Sequence, residues 1–146
     1  IHGCLVGSEM CIRDSVITDF IRKGFETGVI DMMTDGTEAR EFLYAEDCCE
    51  ALETVMEAYH DLRSDDELHI TTGEYTTILE IAEEIKLLFF SIGKKITVIP
   101  DEKKDSVQRD ARNEPDPFIK KFWQPKTSVP QGLKKVFDEM KKDYDS

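Results

Sequence analysis

From Val16 onward, stretches of helical period alternate with apolar runs too short to be helices. That alternation restricts the chain to an α/β or α+β arrangement. Val16, Ile17, Phe20, Ile21 and Gly24 fall on one helical face, and Gly28 follows as a residue able to close the helix in a left-handed conformation. Residues 29–33 (VIDMM) read as a strand, Asp35-Gly36 as a tight turn and residues 41–45 (EFLYA) as a second strand. Asp47 and Glu50 form a D-x-x-E start signal. Asp47 is therefore expected to cap a helix with Cys48, Leu52, Val55, Met56 and Tyr59 on its inward face. After a polar loop, residues 68–73 (LHITTG) are expected as a strand. Thr77 and Glu80 make a capping box ahead of a helix with Ile78, Ile81, Ala82, Ile85, Leu88 and Phe89 inward, and Gly93 ends it. Residues 95–100 read as a strand, and residues 101–116, almost without core formers, as a long loop. Residues 116–123 fit a short helix with Asp116 as cap and Pro117 in first position. Trp123 is expected to pack the last helices together. Ser128 with Gln131 opens the final helix, whose apolar face is Val129, Leu133, Val136, Phe137 and Met140.

Residues 1–15 (IHGCLVGSEMCIRDS) behave differently, with no sustained period of either kind. Their ending, MCIRDS, resembles translated sequencing-adapter sequence, so they are set apart as a non-native segment and residues 16–146 as the domain. The segment lacks the basic start and long apolar run of a secretory signal. On this reading the natural chain continues upstream of residue 16.

The net charge of −12 argues against nucleic acid or an anionic membrane as the main partner, both being polyanions. A small anionic ligand needs only two or three converging cations and is compatible with that charge. No apolar run approaches the roughly 20 residues of a spanning helix. The four cysteines, Cys4, Cys11, Cys48 and Cys49, lack zinc-site spacing and read as free thiols of a reducing compartment, giving an expected cytoplasmic location. His60 and His69 have no ligand-spaced partner and are assigned no role.

Several motifs occur in order along the chain. Thr34-Asp35-Gly36-Thr37-Glu38-Ala39-Arg40-Glu41-Phe42 is followed by Tyr44 and Asp47, and later by Phe122-Trp123-Gln124-Pro125-Lys126-Thr127. Nearly everything from residue 16 resembles the carboxy-terminal half of extended short-chain dehydrogenase/reductases, the NAD-dependent nucleotide-sugar epimerases, 4,6-dehydratases and decarboxylases. The family pattern G-D-G-x-x-x-R-[DE]-[FY] is met with Thr34 at its first glycine, and Phe122 replaces the glycine that precedes the later tryptophan. The resemblance implies a fragment of a Rossmann-type fold, mainly its small α/β substrate-binding domain plus elements that pack on the missing dinucleotide-binding domain. It also implies a parent enzyme that binds NAD and a nucleotide-diphosphate sugar and forms a homodimer. Epimerase is the first reading, with dehydratase and decarboxylase close behind; a non-catalytic nucleotide-binding or protein-interaction module is the alternative.

The glycine-rich turn G-x-G-x-x-G of a dinucleotide site does not occur, and no tyrosine is followed by lysine at the fourth place, as the family's Tyr-x-x-x-Lys pair requires. The fragment is therefore expected to bind no cofactor and to turn over no substrate. The resemblance gives Arg40 the role of contacting the substrate diphosphate, which suits a guanidinium fork that stays charged. The competing reading is a surface arginine paired with Glu38 or Glu41. Arg109 sits where many family members place a second phosphate-contacting arginine, and Arg112 competes with it. Gln108 and Asn113 are candidates for ribose or base edges. A solvated polar loop is the plainer reading of all four.

Overall fold

The computed structural model describes residues 15–61, 70–104 and 122–145. Its elements are α1 (Val16–Glu26), β1 (Val29–Asp31), β2 (Ala39–Glu41), α2 (Ala45–Glu57) with a 3-10 turn at Tyr59–Asp61, β3 (Tyr75–Thr77), α3 (Ile78–Ser91), β4 (Thr97–Ile99) and α4 (Val129–Tyr144).

Local chemistry sets the helix ends. Gly28, at φ +72°, donates its N–H to the Lys23 carbonyl at 3.2 Å and closes α1. The expected capping box opens α3: the Glu80 N–H donates to Thr77 Oγ1 at 3.1 Å, and the Thr77 N–H donates to the Glu80 carboxylate at 2.8 Å. Gly93 ends α3 at φ +77°, donating to the Phe90 carbonyl while Lys94 donates to that of Phe89, both at 3.0 Å. That pair of bonds satisfies carbonyls the last turn would otherwise leave open. In α4 the Ser128 N–H donates to Gln131 Oε1 at 3.0 Å.

The apolar faces of α1, α3 and α4 meet in one core that also takes Ile30, Met32 and Ile96 from the neighbouring strands and loops. Gly24 sets the approach of α1 to α3, because a Cβ there would lie 2.2 Å from Phe89 Cε2. The rings of Phe25, Phe89 and Phe137 then pack with centroids 4.7–5.5 Å apart, and Tyr144 stacks on Phe25 at 4.5 Å. β1 pairs in parallel with β4, Ile30 opposite Val98; β2 pairs antiparallel with β3, Arg40 opposite Thr76. Between the two pairs the chain turns at Gly36, φ +69°, whose carbonyl accepts the Leu79 N–H at 3.0 Å. Asp35 Oδ1 holds that turn by accepting from the Thr37 N–H and hydroxyl at 3.1 and 2.9 Å.

Four expectations are corrected. The second strand is Ala39–Glu41 and not residues 41–45, because Phe42 turns into the main core, Leu43 joins a second cluster and Tyr44 is already the residue before α2. Its partner is Tyr75–Thr77, whereas residues 70–73 form no strand; residues 68 and 69 lie outside the described residues. The inward face of α2 centres on Asp47 and Ala51, so Leu52, Met56 and Tyr59 are exposed. Trp123 packs on Ala51 with Leu43, Val55 and Ile70, joining its segment to α2 and not to α4. Residues 1–14 and 116–121, with the expected short helix, lie outside the described residues.

Candidate functional site

Arg40 occupies the middle of β2, half-buried, so the pairing with β3 fixes where its side chain leaves the backbone. The next residue secures the strand from the other side. Glu41 Oε1 accepts from the N–H of Thr72, from its hydroxyl at 3.0 Å and from the Gly73 N–H at 3.0 Å. This binds the loop before β3 to the end of β2. Arg109, Arg112, Gln108 and Asn113 lie outside the described residues.

Two residues beyond Arg40 the chain enters the wall of a pocket of about 260 Å³. Phe42, Leu43, Tyr44 and Ala45 form one side. Ser15, Ile17 and Thr18 at the start of α1 and Thr127, Ser128 and Val129 at the start of α4 form others, with Gly132, Leu133 and Val136 completing the lining. Three helices therefore begin at this pocket, and Ser15, Thr18, Tyr44, Thr127 and Ser128 carry hydroxyls on an otherwise apolar wall. Helix starts present N–H groups without intrahelical acceptors, together with the positive end of the helix dipole. Such a pocket suits a ligand with a polyhydroxylated or anionic part and an apolar face. Burial, followed by the nearby Glu46 charge, holds the Tyr44 phenol above its usual range, so it remains a neutral donor at physiological pH. Lys135 lies over its ring, 4.4 Å from the centroid.

Asp47 holds two of these walls together. It is the third residue of α2 and Tyr44 is the residue before the helix, so Asp47 is not the cap expected from the D-x-x-E signal. It is 95% buried and accepts from the N–H groups of Lys126 and Thr127 at 3.1 and 2.8 Å and from the Thr127 hydroxyl at 3.2 Å. Glu50, one turn on, pairs with the Lys126 ammonium. A local motif could not show this, because the partners lie 79 and 80 positions away. The pocket hydroxyls were missed for the same reason. Burial, with a smaller contribution from Cys49, raises the Cys48 thiol above its usual range, against a role as nucleophile. Among the described residues no group of three His, Cys, Asp or Glu side chains could hold a metal, and no helix is long and apolar enough to cross a membrane.

Known proteins are similar over most of this frame. Residues 6–71 match the model of the NAD dependent epimerase/dehydratase family. A GDP-L-fucose synthase of Sinorhizobium fredii is 29% identical over 84% of this chain and 39% of its own. The UDP-glucose 4-epimerase of Thermotoga maritima, solved with UDP-glucose, is 21% identical with a TM-score of 0.72, over 89% of this chain and 40% of that one. The dTDP-glucose 4,6-dehydratase of Bacillus anthracis, solved with NAD, is 20% identical with a TM-score of 0.64, over 88% and 39%. The chain thus has the α/β fold of Rossmann-type epimerases and dehydratases over the part it spans, about two fifths of the length of these relatives. Among the described residues the positive-φ glycines, Gly28, Gly36, Gly73 and Gly93, stand singly in helix ends and turns.

Proposed function

We propose that this chain is the sugar-nucleotide-binding part of an NAD-dependent nucleotide-sugar epimerase, with dehydratase or decarboxylase chemistry the nearest variants. The observation that carries the reading is the placement of Arg40 on β2 immediately ahead of Phe42–Ala45, the wall of a hydroxyl-lined pocket where three helices start. The family match and the nucleotide-sugar relatives support it. In this reading Arg40 grips the diphosphate through its guanidinium fork, with Arg109 or Arg112 as second cation and Gln108 and Asn113 at the ribose or base. The pocket receives part of the sugar nucleotide, the Tyr44 and Ser128 hydroxyls meeting sugar oxygens and Phe42 and Val129 the apolar faces of the rings. NAD belongs to the upstream half of the parent, where it supplies the oxidation and return of hydride; this chain positions the substrate for it and alone shows no turnover. The parent is a cytoplasmic homodimer.

Titration of the parent with UDP-, GDP- and dTDP-sugars tests this. Arg40→Ala is expected to weaken binding by about 1.5–3 kcal/mol, the worth of a hydrogen bond to a charged group. Arg40→Lys should recover part of that, and NAD affinity should hold in both variants. Unchanged sugar-nucleotide affinity in Arg40→Ala, or a loss of NAD binding instead, would return Arg40 to a surface ion-pair role.

A further inference from the structure

We propose that the outer ridge of α3 pairs with the same ridge of a second copy of this chain, the two helices lying antiparallel about a two-fold axis. The side of α3 that carries Ile78, Ile81, Ala82, Ile85 and Phe89 is buried in the three-helix core. Glu83, Leu87 and Phe90 recur at i, i+4 and i+7 and so share the other side. Leu87 and Phe90 are 60 and 74% exposed. A leucine and a phenylalanine held next to each other in water mark a surface that is built to be covered.

The charges along the ridge select the occupant. Acids precede the apolar pair, Glu83 on the ridge and Glu84 beside it, and bases follow it, Lys94 and Lys95 after the Gly93 turn. The point midway between Leu87 and Phe90 is also midway between Glu83 and Lys94. A two-fold axis through that point sets Leu87 of each copy against Phe90 of the other and brings Glu83 of each toward Lys94 of the other. The ridge is thus complementary to itself, whereas a partner of uniform charge would meet like charge at one end. Acids at a helix start and bases at its end also suit the helix dipole, but the dipole gives no reason to expose two large apolar side chains between them. The existing ties leave room for the contact. Glu83 is held by Lys86 of its own helix in an exposed pair at 2.8 Å, and Lys94 lies over the Phe25 ring, 4.8 Å from its centroid. The pairing uses only residues 83–95 and does not depend on the enzymatic reading. A ridge of this length is smaller than a standard interface, so the dimer is weak.

Sedimentation velocity of the 146-residue chain, at concentrations reaching about 1 mM, tests this. A monomer–dimer equilibrium is expected, and a monomer throughout would overturn the proposal. Leu87→Lys gains an i, i+4 partner in Glu83 and so keeps the helix. It should weaken the dimer about tenfold or more, whereas Met56→Lys on α2 should leave it unchanged. An undiminished dimer in Leu87→Lys would sink the proposal, with loss in Met56→Lys instead assigning the contact to α2. Glu83→Lys and Lys94→Glu should each weaken self-association. An equimolar mixture of those two variants should associate as the unaltered chain does, because every facing pair in the mixed dimer is again of opposite sign. A mixture that associates no better than its components would refute the antiparallel pairing. Circular dichroism melts establish that each variant is folded; Lys95→Glu, which leaves the Lys94–Phe25 contact in place, replaces Lys94→Glu if that variant melts early.

Discussion

The core of α1, α3 and α4 and the cluster around α2 solve the same problem by different means. The first is closed by apolar shape. Its largest side chains, Phe89, Phe137, Ile21, Ile81 and Ile85, are fully buried, and Gly24 lets two helices come close enough for an aromatic ring to fill the crossing. The second has few buried residues. Ala51 and Trp123 are its centre, the buried indole N–H of Trp123 has no acceptor among the described residues, and the Asp47 carboxylate is a long-range tie. Apolar packing is non-directional, whereas a carboxylate that serves three donors fixes direction as well as distance and leaves polar groups unpaired at a cost if it fails. Stability thus belongs chiefly to the three-helix core, and geometry at the pocket to the α2 cluster.

The chain has a single tryptophan, so its emission reports on the α2 cluster while far-ultraviolet circular dichroism reports mostly on the helices. Phe89→Ala should cost about 3–5 kcal/mol, the usual penalty for emptying an aromatic site in a core, and abolish or sharply lower both transitions. If it moved only the tryptophan transition, the assignment of stability to the three-helix core would be wrong. Asp47→Ala is expected to cost about 1–3 kcal/mol through the donors left without an acceptor. It should shift the Trp123 transition to lower denaturant ahead of the dichroism; coincident transitions in this variant would merge the two regions into one cooperative unit.

A smaller effect is expected at the start of α3. Thr77→Ala should cost about 1 kcal/mol, the typical worth of an N-terminal cap, and leave the tryptophan emission of the folded state as it is. The Thr77 N–H, followed by its hydroxyl, holds the Glu80 carboxyl below its ordinary value. A pKa depressed in the folded state contributes stability above the ordinary glutamate value of 4.5, and that contribution is lost as pH falls through the folded value. Glu80→Ala should therefore lie furthest from the unaltered protein near neutral pH and converge with it in acid. Urea midpoints measured across that range check the sign, and a gap that widened in acid would contradict the capping role.

The two regions were also unequally legible. Every end of α3 could be read locally, because Thr77, Glu80 and Gly93 act within one turn of their own positions, and the inward face Ile78, Ile81, Ile85, Phe89 recurs at helical spacing. The final helix was readable for the same reasons. Around α2 the local signals misled. Asp47 and Glu50 look like a helix start but reach across the chain to residues 126 and 127, and the apolar residues of strongest helical spacing face outward. Arg40 was placed by motif, yet its strand proved to be the three residues around it, since pairing with β3 decides strand extent and is invisible to local composition. The pocket could not be foreseen, because its walls come from three helix starts scattered along the sequence.

The order of the strand pairs also bears on how the chain reaches this state. β1 lies against β4, residue 29 beside residue 97, and the β2–β3 pair falls wholly inside the interval they enclose. Joining the outer pair first would close a long loop of unfolded chain at high entropic cost. Formation of α3 and the inner pair shortens that interval beforehand, so the outer pair is favoured to close late. On a ribosome β1 emerges before β4 and stays without that partner until residues 97–99 follow. A product ending before β4 would carry an unsatisfied strand edge beside the apolar side chains of Ile30 and Met32, the combination from which aggregation starts.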